Sequence, residues 1–156
     1  MPNFIYTTKD GDVRIYSSPL VFKPETKPGA LESPVFEDVR GKIERIDFKG
    51  TKFNIIGTKK GFMRSGDLHK NTQFDLILSG KIELWVLAED ITEKTILYPN
   101  QYVVLKPHVP HLFNFLEDTV MIEWWDGPFE AWFYKPYRDL IDEQFRENIK
   151  KIKSTT

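Results

Sequence analysis

The chain has 156 residues, 40% hydrophobic and 29% charged, a length and balance suited to one globular domain around a single core. Its 22 basic and 23 acidic side chains leave a formal charge of -1, which argues against a nucleic-acid binder or a polybasic membrane surface. Cysteine is absent, which excludes a disulfide framework and a thiolate metal site; any metal must be held by histidine, carboxylate, amide oxygen or water.

No apolar run approaches the ~20 residues of a membrane span. The opening MPNFIYTTKDGD lacks the apolar core of a signal peptide, so a cytoplasmic location is the expectation. Phe4 to Thr7 and Val13 to Tyr16 read as short strands around a Lys9-Asp10-Gly11-Asp12 turn. Ser18 to Pro34 carries four prolines and a glycine and so excludes a regular helix or a central strand. That segment is either a mobile linker or an extended arm pinned by Leu20, Val21, Phe22 and Leu31; the arm, packed on the barrel or a partner subunit, is the favoured reading for residues 1–39, because those apolar side chains need cover.

From Arg40 to Trp132 the pattern is strands and turns, with residues 40–134 forming one β domain. Strands are predicted at Lys42 to Phe48, Phe53 to Thr58, Phe74 to Leu78, Lys81 to Leu87, Lys94 to Tyr98, Tyr102 to Lys106, Leu112 to Leu116 and Thr119 to Trp125. Ile82, Leu84 and Val86 share one face, and turn signals such as Ser79-Gly80 and Asp126-Gly127 separate the runs. Short strands at this spacing suggest a closed or sandwiched antiparallel sheet. Residues 135–156 change period. Tyr137, Leu140, Ile141, Phe145, Ile149 and Ile152 fall on one face of a helix from about Pro136 to Lys151, acidic early and basic late.

Two stretches carry the chemistry. In Gly61 to Gly80, Asp67 and His69 are one residue apart, so on an extended strand they point the same way, and Gln73 follows four residues later. In Asn100 to Phe115, His111 opens a strand behind a Pro107-His108-Val109-Pro110 turn. All three histidines of the chain lie in these two stretches. Together they give two imidazoles, one carboxylate and one amide oxygen. Two histidines and a carboxylate make a facial set of the kind that holds non-heme iron(II). Without a metal, Asp67 beside a histidine can orient and activate it as a general base.

The spacing resembles the two motifs of the cupin superfamily. Gly61, Asp67, His69, Gln73 and Gly80 fall on its glycine, His-x-His, glutamate and glycine positions. Asn100, Lys106, His108, His111 and Phe115 fall on the glycine, proline, glycine, histidine and asparagine positions of the second motif. The resemblance implies an all-β, double-stranded β-helix, the jelly-roll barrel, with an N-terminal arm and a C-terminal helix. It also implies a homodimer exchanging N-terminal strands, and convergence of Asp67, His69, Gln73 and His111 inside the barrel. That set would hold iron, zinc, nickel or manganese, or act metal-free. The run from Arg40 to Ile46, followed by Asn54-Ile55-Ile56, is more loosely similar to cupins acting on nucleotide-linked sugars.

The expected function is an enzyme acting on a small polar metabolite, a sugar derivative among the candidates, with His69, His111 and Asp67 catalytic. The alternatives are a non-catalytic ligand- or metal-binding module and a structural subunit. The second nitrogen of each imidazole is expected to meet an acceptor. Lys70 is either a phosphate or carboxylate contact or a solvated rim residue. Aromatics from Phe113 to Tyr137 fill the core or line the cavity. Glu123 and Trp125 share a face, and Glu123 is a functional candidate if that face is the inner one.

Overall fold

A computed structural model describes residues 3–7, 13–17 and 35–155 of the chain. The Lys9–Asp12 turn and the proline-rich segment Ser18–Pro34 lie outside the described residues. In chain order the strands are β1 (Asn3–Thr7), β2 (Val13–Ser17), β3 (Val35–Asp38), β4 (Gly41–Phe48), β5 (Thr51–Thr58), β6 (Met63–His69) and β7 (Gln73–Ser79). They continue with β8 (Ile82–Ala88), β9 (Ile91–Leu97), β10 (Gln101–Leu105), β11 (His111–Phe115), β12 (Thr119–Trp125) and β13 (Ala131–Phe133). A helix, α1 (Lys135–Ser154), follows. All pairings are antiparallel. One sheet runs β1-β2-β10-β7-β12-β5-β4-β3 and the other β13-β6-β11-β8-β9.

The eight strands expected between Arg40 and Trp125 are present within a few residues of their expected ends. Three others, apart from β1 and β2, lie outside that set. β6 is legible in sequence only as the extended stretch that puts Asp67 and His69 on one face, β3 is obscured by Pro34 just before it, and β13 is three residues long inside an aromatic run.

Register arranges the interior in three layers. At one end, Ile77, Met121 and Ile56 of the first sheet face Phe115 and Ile82 of the second. These are buried and belong to the apolar core with Leu97, Val103 and Leu105. Burying each such side chain contributes about 1.5–3 kcal/mol. In the middle layer Asp75 pairs with Glu123, and Glu123 with Asn54, opposite Arg64, Phe113 and Leu84. The third layer holds Gln73 and Trp125, opposite Asp67, His111 and Val86.

The helix packs on β6 through Tyr137 and Ile141, which are buried with Leu112 beneath Met63 and Trp85. Pro136 sits in its first turn, as a residue without an N–H can. No acidic residue occupies that first turn. Asp139 lies too far along and instead pairs with Lys135 at 2.6 Å, so only the basic end, Lys151 and Lys153, matches the expected dipole pattern. Among the described residues, no helix is long and apolar enough to cross a membrane.

Candidate functional site

The site depends on one extra residue in β6. On an uninterrupted strand Arg64 and Asp67 would face opposite ways. A bulge at Ser65 and Gly66, with φ of 77° and 72°, shifts the register so that Phe113 pairs with Arg64 while His111 pairs with Asp67. Arg64, Asp67 and His69 thereby all enter the barrel. The C-terminal helix holds the bulge. Tyr134 N–H donates to the Gly66 carbonyl at 2.9 Å, and the Arg138 guanidinium donates to the Ser65 carbonyl at 3.2 Å. A Cβ on Gly66 would stand 2.7 Å from Ile141 Cδ1 and 3.2 Å from the Arg138 nitrogen, so only glycine fits.

Asp67, His69 and His111 converge although they come from separate strands. Asp67 Oδ1 lies 3.3 Å from His69 Nε2 and 3.4 Å from His111 Nε2, and the three donor atoms all fall within 4.8 Å of one another. The imidazole centroids are 5.3 Å apart. The histidines are 4% and 1% exposed, against 16% for the Asp67 side chain, so Asp67 is the group presented to solvent. Burial works to raise the Asp67 pKa, but the two histidines and the Ser65 hydroxyl, which donates at 2.9 Å, outweigh it and hold the group below the usual carboxylate range. Burial lowers the His111 pKa.

His111 Nδ1 sits 2.9 Å from the Val109 carbonyl, an acceptor, so Nδ1 carries the proton and the Nε2 lone pair faces Asp67. That is the acceptor expected for the second nitrogen. For His69 the expectation fails. Its Nδ1 has no partner, because the ring is walled by Trp125 and Phe129, at centroid distances of 5.2 and 5.4 Å.

The donor set fits a divalent ion. Ligand atoms about 2.0–2.1 Å from a metal stand roughly 3.0–3.4 Å from one another in octahedral or tetrahedral sites. The 3.3 and 3.4 Å separations of Asp67 Oδ1 from the two Nε2 atoms match this, and His111 Nε2 is not taken up by a protein hydrogen bond. Gln73 is buried on the opposite sheet and its amide donates to Asp75 Oδ2 at 2.9 Å.

Beneath the triad lies a layer whose role the sequence motifs do not announce. Glu123 faces inward and accepts from Asn54 Nδ2 at 3.1 Å, and burial pushes its pKa up to about 7. Asp75 is fully buried, and burial together with the neighbouring Glu123 raises its pKa well above the ordinary range. The signal for Asp75 was its inward phase in the alternating run Gln73, Asp75, Ile77. Arg64 escaped because the bulge changes parity after it. It donates to Thr58 Oγ1 at 2.7 Å, and burial brings its pKa down to about 10.

Trp125 lines the interior, whereas Trp124 stacks on Phe74 at 5.4 Å on the outer face. Lys70 meets Glu130 at 3.2 Å on the rim. His108 is exposed in its turn. The motif's four glycine positions, 61, 80, 100 and 108, all have positive φ (89°, 90°, 67° and 65°), so Asn100 and His108 occupy backbone that favours glycine.

Two antiparallel sheets closing on an inward triad, with these turns between the motifs, define the cupin jelly roll. No family model and no curated protein sequence matches the chain. Solved structures do. The chain is similar to the capsular polysaccharide assembling protein CapF from Staphylococcus aureus, with a TM-score of 0.58 and 18% identity over 65% of this chain and 34% of that one. Oxalate decarboxylase from Lactobacillus farciminis, in a formate complex, gives 0.56 and 15% over 65% and 33%. Bacillus subtilis oxalate decarboxylase, whose Mn(II) centres have been characterised, gives 0.57 and 19% over 64% and 29%. The likeness is one of fold, and the chain spans about a third of the length of these proteins.

Proposed function

We propose that the protein is an enzyme that acts on a small polar metabolite at the open end of the barrel, with Asp67, His69 and His111 as its reactive groups. The observation that carries this reading is the approach of both imidazole Nε2 atoms to one carboxylate oxygen, at 3.3 and 3.4 Å. Asp67, His69 and His111 would hold a divalent metal such as manganese, iron, zinc or nickel. When bound, such an ion polarises a substrate oxygen and lowers the pKa of bound water. The Val109 carbonyl fixes the His111 tautomer so that Nε2 is free as ligand or base, and burial keeps that imidazole neutral. Asp67 stays ionised and supplies the negative charge. Gln73 is tied to Asp75 and supports the site from behind.

The deep burial of both histidines favours a second reading, a metal- or ligand-binding module without turnover. Untagged protein would be analysed for metal by mass spectrometry and incubated with a deproteinised metabolite extract followed by NMR. Under the enzyme reading, a metabolite is converted by wild type and not by His111→Ala. Metal uptake or ligand retention with nothing converted favours the binding module. No metal and no change in any metabolite refutes both.

A further inference from the structure

The cavity that opens beside Asp67, about 250 Å³ and lined by Phe129, Ala131 and Phe133 among others, belongs to the triad. Beneath the triad lies a different cluster, made by three neighbouring strands of the first sheet. Gln73 and Asp75 are two apart on β7 and so face the same way. Asp75 pairs across to Glu123 of β12, and Glu123 pairs with Asn54 of β5.

These side chains form two matched couples of one acid and one amide. Gln73 Nε2 donates to Asp75 Oδ2 at 2.9 Å, and Asn54 Nδ2 donates to Glu123 Oε1 at 3.1 Å. Each amide spends its N–H on a carboxylate, which leaves oxygens over. Gln73 Oε1 and Asp75 Oδ1 are enclosed and have no partner, in side chains 1% and 0% exposed. The other couple is built alike, with Asn54 Oδ1 and Glu123 Oε2 outside its hydrogen bond.

No basic side chain answers these acids. Arg64, which faces this layer, donates to Thr58 Oγ1 at 2.7 Å instead. An unpaired buried carboxylate costs several kcal/mol, so each must carry a proton or meet a cation, and hydrocarbon here would often be as stable or more so. Burial raises the pKa of both acids, and without an ion the pair holds protons. A buried polar layer that offers unclaimed oxygens and no positive charge calls for a ligand.

We propose that Asn54, Gln73, Asp75 and Glu123 form a second cation site beneath the triad, oxygen-only and of calcium class. Two carboxylates neutralise a divalent ion, and amide carbonyls complete the oxygen set such an ion takes. Size favours Ca²⁺. Oxygens on opposite sides of an ion stand two bond lengths apart, about 4.6–5.2 Å for Ca²⁺ and about 4.0–4.2 Å for Mg²⁺. Neighbouring strands are spaced about 4.7–4.9 Å, which suits the larger ion over Mg²⁺ or Mn²⁺. The imidazoles above suit softer metals, so the barrel would sort two kinds of ion between two layers.

The test is titration calorimetry on the full chain, stripped of metal with a chelator, using CaCl₂, MgCl₂ and MnCl₂ as probes. His111→Ala breaks the triad and should lose Mn²⁺ uptake, yet it should still take up Ca²⁺ and gain in Tm when Ca²⁺ is added. In that background Asp75→Asn and Glu123→Gln, which keep shape and remove one charge each, should raise the Ca²⁺ Kd at least tenfold. Asn54→Ala, at a half-buried position, removes one oxygen and no charge and should weaken binding less. Glu83→Gln, on the outer face of β8, should leave binding unchanged.

Circular dichroism checks each fold, and the variants on three strands make the test independent of any one that fails to fold. Absence of Ca²⁺ uptake overturns the proposal and leaves the layer to protons alone. Ca²⁺ lost together with Mn²⁺ in His111→Ala places the ion on the triad and overturns it equally. So does Ca²⁺ affinity unmoved by the acid-to-amide variants, or a preference for Mg²⁺.

Discussion

Gly66→Ala tests how the C-terminal helix positions the site. Two costs apply at this residue. A left-handed backbone with a Cβ costs about 1–2 kcal/mol, partly offset by about 0.4–1 kcal/mol because alanine restricts the unfolded chain. The added methyl would also lie 2.7 Å from Ile141 Cδ1 and 3.2 and 3.3 Å from the backbone nitrogen and Cα of Arg138. Ile141 can swing aside, but the first turn of a helix cannot, and overpacking of this kind costs about 1–3 kcal/mol. The sum is about 2–4 kcal/mol, a fall in Tm of about 5–15 °C for a chain of this size. Gly61 supplies the control, since its φ is 89° but a methyl placed there would have nothing within 4 Å, so Gly61→Ala should cost only about 0–1 kcal/mol. Thermal unfolding by circular dichroism reads both variants. Equal losses would show that the helix does not constrain the bulge.

His69→Ala and His111→Ala should each abolish metal binding, read by titration calorimetry with Mn(II), while far-UV circular dichroism stays that of the folded barrel. His108→Ala, at an exposed turn position, should leave that affinity within twofold. Glu123 has a folded-state pKa raised to about 7, so the stability it contributes is complete below its unfolded value and is lost as pH rises through the folded one. The stability of wild type relative to Glu123→Gln, from urea denaturation, should therefore decline between about pH 4.5 and pH 7; a flat or rising difference contradicts the buried, protonated carboxyl. The chain should be a homodimer at micromolar concentration, through its N-terminal arm, and a monomeric mass in light scattering would reject this.

Much of the site was readable because a strand's period is two and Asp67 and His69 are two apart. The distant convergence with His111 was readable only through motif spacing, as was the positive-φ role of positions 100 and 108. What the sequence hid traces to irregular backbone. The bulge at Ser65 breaks the alternation that would have related Arg64 to the triad. Likewise the inward phase of Glu123 and Trp125 could not be fixed without knowing which face of β12 met the core. A further bulge between Val120 and Met121 obscures that phase as well. The N–H and C=O pairing that makes β3 and β13 strands is tertiary, and three- or four-residue runs carry too little periodicity to reveal it.

The layered interior also constrains traffic. Ile56, Ile77, Ile82, Phe115 and Met121 fill one end of the interior with hydrocarbon, and a cavity opens at the other beside Asp67. A molecule entering by that cavity reaches Asp67 before the two more deeply buried histidines. Side chains that narrow the cavity would therefore hinder departure through it as much as arrival.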